Sequence, residues 1–322
     1  MELSLGITLL KNLRPEVRSM LDDEALAHYL SNFALRFAPG VEIPESPPTG
    51  QPDFWLFLPF ASAADFPLCP PEQVRQLALA STCMIIYNIL FDAAVDDPGK
   101  PDVTTQVLAE YALTSMYEYL YELFPPASAF WDHYKPLYQR FLGSMVEEQS
   151  AHKGRPQPYS YTDYFRISQQ KMSMVLINPI GLAILGNVPE RIPALVAAWD
   201  ELNVAVVILD DIKDWEDDYR EGNYTYLLAQ ALKIDRVDHQ PLPENNEDLV
   251  TRVIFSGAME ELYRRGATHL ERAAELAGDA NAPALTTLAK ERAVMFRKFG
   301  RQLTRRKLEG LREHLAATML SD

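Results

Sequence analysis

Apolar residues recur along most of this chain at steps of three and four, the spacing that builds one face of an α-helix. The clearest run is Ile192, Leu195, Val196, Trp199, Leu202, Val206 and Leu209. It predicts one long helix from about Pro193 to Trp215 or beyond. A similar stripe predicts a helix over 13–37. Another runs from Val74 to Asp92, opened by Pro70-Pro71 and stopped by Pro98-Gly99. Further helices are expected over 103–124, ended by Pro125-Pro126, and over about 128–152. One more starts near Tyr161, carries Arg166, Gln170 and Lys171, and continues through Met172 to Asn178. Pro179 and Gly181 are expected to kink or break it there. A turn and a new helix follow at 219–228, a polar loop at 236–248, and helices at about 247–277 and 283–317. Nine of the 23 prolines fall between Pro39 and Pro71, which marks a loop region. The alternating pattern of a half-buried strand does not occur. The pattern therefore predicts an all-α protein, a single large antiparallel bundle of about ten helices around an apolar interior. Residues 1–322 are read as one domain. Within it, 1–69 form an N-terminal helix and Pro-rich loop, and 70–322 the bundle core.

Composition narrows the function classes. The chain is 48% hydrophobic and carries a net charge of −15. That leaves ample core and argues against a nucleic-acid footprint. Metal ions can still bridge an acidic protein to a polyanion. With only Cys69 and Cys83, no disulfide framework is indicated. Residues 1–20 contain Glu2, Lys11, Arg14, Glu16 and Arg18. No signal-peptide core and no transmembrane segment are read, and a cytoplasmic location is expected.

Candidate chemistry sits where apolar helices run into acid. After Val204-Ala205-Val206-Val207-Ile208-Leu209 come seven acids in the twelve residues from Asp210 to Glu221. An apolar run ending in Asp-Asp would also suit a buried strand. No G-x-x-x-x-G-K-[ST] loop exists to serve it, and the stripe is helical. On a helix Asp210, Asp214 and Asp218 stand at i, i+4 and i+8, neighbours on one row. Such a row fits either a solvated acidic surface or a seat for Mg²⁺, which takes hard oxygen ligands and a few carboxylates. Asp92 and Asp96 repeat the design at the end of the helix opened by Pro71. Acid there is mildly unfavourable against the helix dipole and calls for a compensating cation. Arg166 and Lys171 stand just before a wholly apolar segment and fit surface charge or anion binding equally. The last helix is strongly basic, with Lys290, Arg292, Arg297, Lys298, Arg301, Arg305, Arg306 and Lys307.

These segments, in this order, resemble the class I isoprenoid (terpenoid) synthase superfamily. Asp92-Ala93-Ala94-Val95-Asp96 is similar to its first aspartate-rich motif, in the D-x-x-x-D form of squalene and phytoene synthases. Asp210-Asp211-Ile212-Lys213-Asp214 resembles the second motif of trans-prenyltransferases, as does the continuation Asp218-Tyr219-Arg220-Glu221-Gly222-Asn223-Tyr224-Thr225. Read with Asp218, the same stretch approximates the N-D-x-x-S-x-x-x-E motif of terpene cyclases. Tyr164-Phe165-Arg166 resembles the place of a diphosphate-sensing arginine, and Lys171 that of a diphosphate-binding lysine. The resemblance covers about 70–230 by motif and the last third by helix count.

The resemblance implies a bundle around a central apolar cavity, the class I terpenoid synthase fold. It implies Mg²⁺ or Mn²⁺ held by Asp92, Asp96, Asp210, Asp214 and Asp218. It also implies an allylic prenyl diphosphate bound by Arg166, Lys171 and a C-terminal arginine, for which Arg297 stands first beside Arg301 and Arg305. Tyr87, Phe91 and Trp199 are the aromatic faces that would stabilise a cation. A homodimer is implied as well. The Gly-Lys and Arg/His set of chain-elongating prenyltransferases is absent before residue 70. The expectation is therefore a Mg²⁺-dependent lyase that ionises one prenyl diphosphate and cyclises it. A prenyltransferase or head-to-head condensing synthase is the alternative, and a non-catalytic helical binding protein another. A di-metal carboxylate protein would need Glu-x-x-His pairs, which the six histidines do not supply.

Overall fold

The computed structural model describes residues 59, 62–96, 103–151, 153, 154, 156–234, 242, 243 and 245–319. For 89, 92–96, 104, 105, 108, 151 and 310–319 only the backbone is described. The expected helix at 13–37 lies outside these residues. Among the described residues there are ten α-helices and no strand: α1 (Pro71–Asp96), α2 (Val103–Leu123), α3 (Phe130–Ala151), α4 (Tyr161–Lys171), α5 (Ile177–Leu185), α6 (Ile192–Glu221), α7 (Tyr226–Ala231), α8 (Asn246–Phe255), α9 (Ala258–Asp279) and α10 (Pro283–Met319). The chain divides into two compact units, 1–136 with 174–193 and 137–173 with 194–322.

In the first unit, α1 packs along α2 and against α5. Every residue of α1 from Leu77 to Tyr87 is buried, the mark of a helix that is apolar all round and enclosed. Two of its hydroxyls, those of Ser81 and Thr82, are satisfied internally. Thr82 Oγ1 donates to the Ala78 carbonyl at 2.8 Å, and Ser81 Oγ accepts from Asn178 Nδ2 at 3.0 Å. A Cβ at Gly181 would stand 3.1 Å from Leu77 Cδ2 and 3.2 Å from Phe124 Cζ. The glycine thus permits a close helix approach rather than a break.

Here one expectation is corrected. The helix expected from Tyr161 ends at Lys171, not at Pro179. A 3-10 turn over Ser173–Leu176 follows, and α5 then runs straight through Pro179 and Gly181. Pro179 is the third residue of α5, in the first turn, where a missing N–H costs nothing. The break falls instead where α6 can satisfy it: Asn203 Nδ2 donates to the Met172 carbonyl at 3.4 Å. A second correction concerns 247–277, which forms two helices. Gly257 takes φ +82° between α8 and α9, a conformation in which a side chain is strained.

In the second unit, α9 lies along α10, and α6 buries Leu195, Trp199, Leu202 and Ile208. By length and composition the stretch Pro189–Glu221 would also cross a membrane, but half of its most apolar window is buried inside the protein. That is the pattern of a core helix, and Trp199, Ala198 and Val204 on it are all but inaccessible.

Candidate functional site

The second unit carries the acidic end of α6 as a shaped feature. Gly222, at φ +74°, caps the helix. The Asn223 N–H bonds the Asp218 carbonyl at 2.8 Å and the Gly222 N–H the Tyr219 carbonyl at 3.2 Å, the paired closure of a Schellman motif. Gly154 donates its N–H to the Gly222 carbonyl at 2.8 Å. A Cβ on Gly222 would lie 3.7 Å from Gly154 Cα. The loop after α3 therefore crosses the end of α6 backbone to backbone.

Helical spacing spreads the acids over different surroundings. Asp210 is exposed, Asp214 and Asp218 are half-buried, and Asp211, one residue round the helix, is buried. Asp211 Oδ2 and the hydroxyl of Tyr164 have no hydrogen-bond partner among the described residues, although the two groups face each other. Burial drives the Asp211 carboxyl well above the usual carboxylate range, and the charges of Asp218 and Asp210 push the same way. Asp218 is pushed up to about 7, first by burial and then by Asp210 and Asp214. The Asn223 side chain, donating to Asp218 Oδ1 at 2.9 Å, opposes that shift.

Beneath Asp211 lies a tyrosine cluster. Tyr164 stacks on Tyr226 with centroids 5.0 Å apart, and Tyr159 meets both edge-on. Tyr159 has its phenol raised by burial and by Glu148 and Asp211. The acids of α3 and of α6 thus act on one ring.

The cations expected from the sequence stand beside this cluster, each held by a carboxylate of α3. Lys171 Nζ lies 3.0 Å from Glu148 Oε2, and its charge acts on Asp211 and Asp218. Arg166 makes a two-pronged pair with Glu147, at 2.7 and 2.5 Å. The start of α4 is fixed by a three-membered relay. His269 Nδ1 lies 2.5 Å from Glu201 Oε2, and its Nε2 meets the Tyr161 hydroxyl. With Nδ1–H donating to the carboxylate, Nε2 accepts from the phenol. The Arg265 guanidinium covers the Tyr161 ring at 3.7 Å.

Not every expected residue joins this group. Trp199, 1% exposed, is a core residue of the second unit. Arg297 pairs with Glu271 of α9, and no described interaction links it to the aspartates. In the first unit, Tyr87 and Phe91 stack on one another at 5.5 Å along α1. The side chains of Asp92 and Asp96 lie outside the described residues, though their backbone is helical. Conversely, Tyr159, Glu147 and Glu148 stand in this group without being candidates from the sequence, and Asp211, Tyr164 and Asn223 stand in it although the sequence shows them only as parts of motifs, with no role of their own.

The donor set suits a hard divalent cation. It is oxygen-only and crowded, and burial holds the Asp211 and Asp218 carboxyls above their ordinary range. Among the described residues no three Asp, Glu, His or Cys side chains converge as a ready-made cage.

No family model matches the chain, and no curated sequence does. Solved structures do. A polyprenyl synthase from Caulobacter crescentus, solved with calcium and isoprenyl diphosphate, superposes with TM-score 0.65 at 16% identity, over 89% of this chain and 94% of that one. The octaprenyl pyrophosphate synthase of Helicobacter pylori gives 0.60 at 14%, over 89% and 99%. The geranylgeranyl pyrophosphate synthase of Lactobacillus brevis gives 0.65 at 15%, over 88% and 94%. At such identity the likeness is one of fold. The chain has the all-α fold of the class I isoprenoid synthases.

Proposed function

We propose that the protein is a Mg²⁺-dependent enzyme acting on an allylic prenyl diphosphate, and that it transfers the prenyl group to a second substrate. One observation carries this reading: a part-buried acidic row on α6 stands beside Lys171 and Arg166, in a chain whose fold neighbours are prenyl diphosphate synthases. One or two of Asp210, Asp214 and Asp218 would hold the metal, with diphosphate oxygens completing its shell. Mg²⁺, when bound, supplies Lewis acidity and neutralises the charge that develops on a departing diphosphate.

The chain's own residues do the rest. Lys171 and Arg166 exchange Glu148 and Glu147 for diphosphate oxygens, trading one charge-assisted hydrogen bond for another. Asn223 holds Asp218 in place through its 2.9 Å hydrogen bond. The Glu201–His269–Tyr161 relay keeps α4 in register with α6 and so fixes where both cations point. Tyr159 and Tyr164 close the floor under Asp211 and keep water from it.

Cyclisation of a single substrate is the second reading. It is favoured by the sequence before residue 70, which lacks the second-substrate set of chain-elongating enzymes. Incubation with C10, C15 and C20 allylic diphosphates, with and without labelled isopentenyl diphosphate, separates the two. Label in a longer product supports transfer, whereas diphosphate release with a cyclic hydrocarbon and no label supports cyclisation. If no allylic substrate releases diphosphate at any Mg²⁺ concentration, the catalytic reading falls.

A further inference from the structure

We propose that the exposed face of α10 is a docking surface for an anionic phospholipid bilayer. The inference does not depend on the catalytic reading. It starts from a charge contrast. Between Lys290 and Glu309 this helix carries eight cations, Lys290, Arg292, Arg297, Lys298, Arg301, Arg305, Arg306 and Lys307, against Glu291 and Glu309, in a chain of net charge −15.

Helical geometry then sorts them. Ala289, Ala293 and Phe296 are buried and Lys307 lies folded against Glu260 of α9, so these residues form the inner face. Lys290, Val294, Lys298, Arg301, Arg305 and Leu308 are all exposed. Their spacing of four, four, three, four and three puts them on one outward row. The neutralising carboxylates lie to the side: Glu271 takes Arg297, and Glu309 approaches Arg305 at 3.4 Å.

The apolar members of the row decide the partner. Val294 is 64% exposed and Leu308 54%. A nucleic-acid backbone offers no apolar phase for aliphatic groups set between arginines, and the oligomeric-state arm of the test separates a bilayer from a second copy of the chain. A bilayer takes both, the cations at the phosphates and the apolar tips in the acyl boundary. Its anionic surface attracts clustered Lys and Arg through their summed charge. The phosphate chemistry is shared by a lipid headgroup and a free phosphate, and the test separates them.

The test is co-sedimentation of the full chain with phosphatidylcholine vesicles, with and without about a third phosphatidylglycerol. Binding is expected only to the anionic vesicles and is expected to be lost in high salt. It should fall by at least about a hundredfold in the Lys298→Glu/Arg301→Glu/Arg305→Glu variant. The Val294→Ser/Leu308→Ser variant, which keeps the charge, should weaken it several-fold. The Arg75→Glu/Lys135→Glu/Arg272→Glu variant, at exposed positions on α1, α3 and α9, serves as the charge-matched control and should bind as the parent does. Circular dichroism and melting curves confirm that each variant is folded. Equal binding to neutral vesicles, no binding to anionic ones, or unchanged binding in the folded triple variant would overturn the proposal. So would displacement by millimolar inorganic phosphate beyond that caused by chloride of equal ionic strength, which would point to a discrete phosphate site. A change of oligomeric state in the triple variant without vesicles would assign the face to a second copy and also overturn it.

Discussion

The acidic end of α6 and the basic face of α10 each gather like charges within a few helical turns, yet the protein treats them in opposite ways. On α10 most of the cations are exposed. On α6 the same crowding meets burial. Asp211 is enclosed among tyrosines, Asp218 is half-covered, and their carboxyls are driven upward by lost hydration before any neighbour's charge is counted. Burial, rather than the number of charges, sets what a cluster costs. A costly cluster calls for a ligand that repays it, and a cheap one can serve as a mere surface.

The sharpest way to break this comparison is to neutralise the costly cluster. Asp214→Asn, measured by diphosphate release from an allylic substrate, should lower turnover about 10³-fold or more, on the order of 4 kcal/mol of lost transition-state stabilisation. Asp92→Asn and Asp96→Asn in the same assay show whether the other acidic helix end takes part. An effect as large as that of Asp214→Asn is expected.

The pH dependence of stability comes next. Asp218 is raised from 3.8 to about 7 by burial, so the folded state holds this proton more tightly than the unfolded chain does. Its contribution to stability is complete below about pH 4 and is lost as pH rises through about 7. Asp211 acts in the same direction. The melting temperature of metal-free protein should therefore fall between about pH 5 and about pH 8. Asp218→Asn should flatten that fall, and millimolar Mg²⁺ should reverse it. A melting temperature that rises over this range would contradict the placement of both groups.

Smaller effects sharpen the contrast. Glu147→Gln loosens the grip on Arg166, which is 40% exposed by side chain. It should cost at most about 1 kcal/mol of stability in thermal melts, as half-exposed pairs do. Arg301→Gln on α10 should change stability least, within about 0.5 kcal/mol.

How much of this was legible beforehand follows from how local each signal is. The helices of the bundle were legible because a 3.6-residue stripe is a local signal. The row Asp210, Asp214, Asp218 was legible for the same reason. The end of α4 at Lys171 was not. It depends on Asn203, about thirty residues on, meeting the Met172 carbonyl, and Pro179 was tolerated because it fell in a first turn. The break between α8 and α9 was within reach, since Ser256-Gly257 is a turn signal overlooked inside an apolar period. Asp211 was visible in the acidic run, but its burial was not, because its neighbours Tyr159, Tyr164 and Tyr226 lie apart from it along the chain. The same holds for the partners of Arg166 and Lys171, nineteen and twenty-three residues upstream on α3.

The central claim is that the acids at the end of α6 form a seat for a divalent cation and a diphosphate. Calorimetric titration of Mg²⁺ into the protein with inorganic diphosphate present tests it most directly. Saturable binding with proton release at pH 7 is expected, lost in the Asp210→Asn/Asp214→Asn variant and retained in the Lys298→Glu/Arg301→Glu/Arg305→Glu variant. Binding of equal strength in the folded Asp210→Asn/Asp214→Asn variant, or none in the parent, would contradict it.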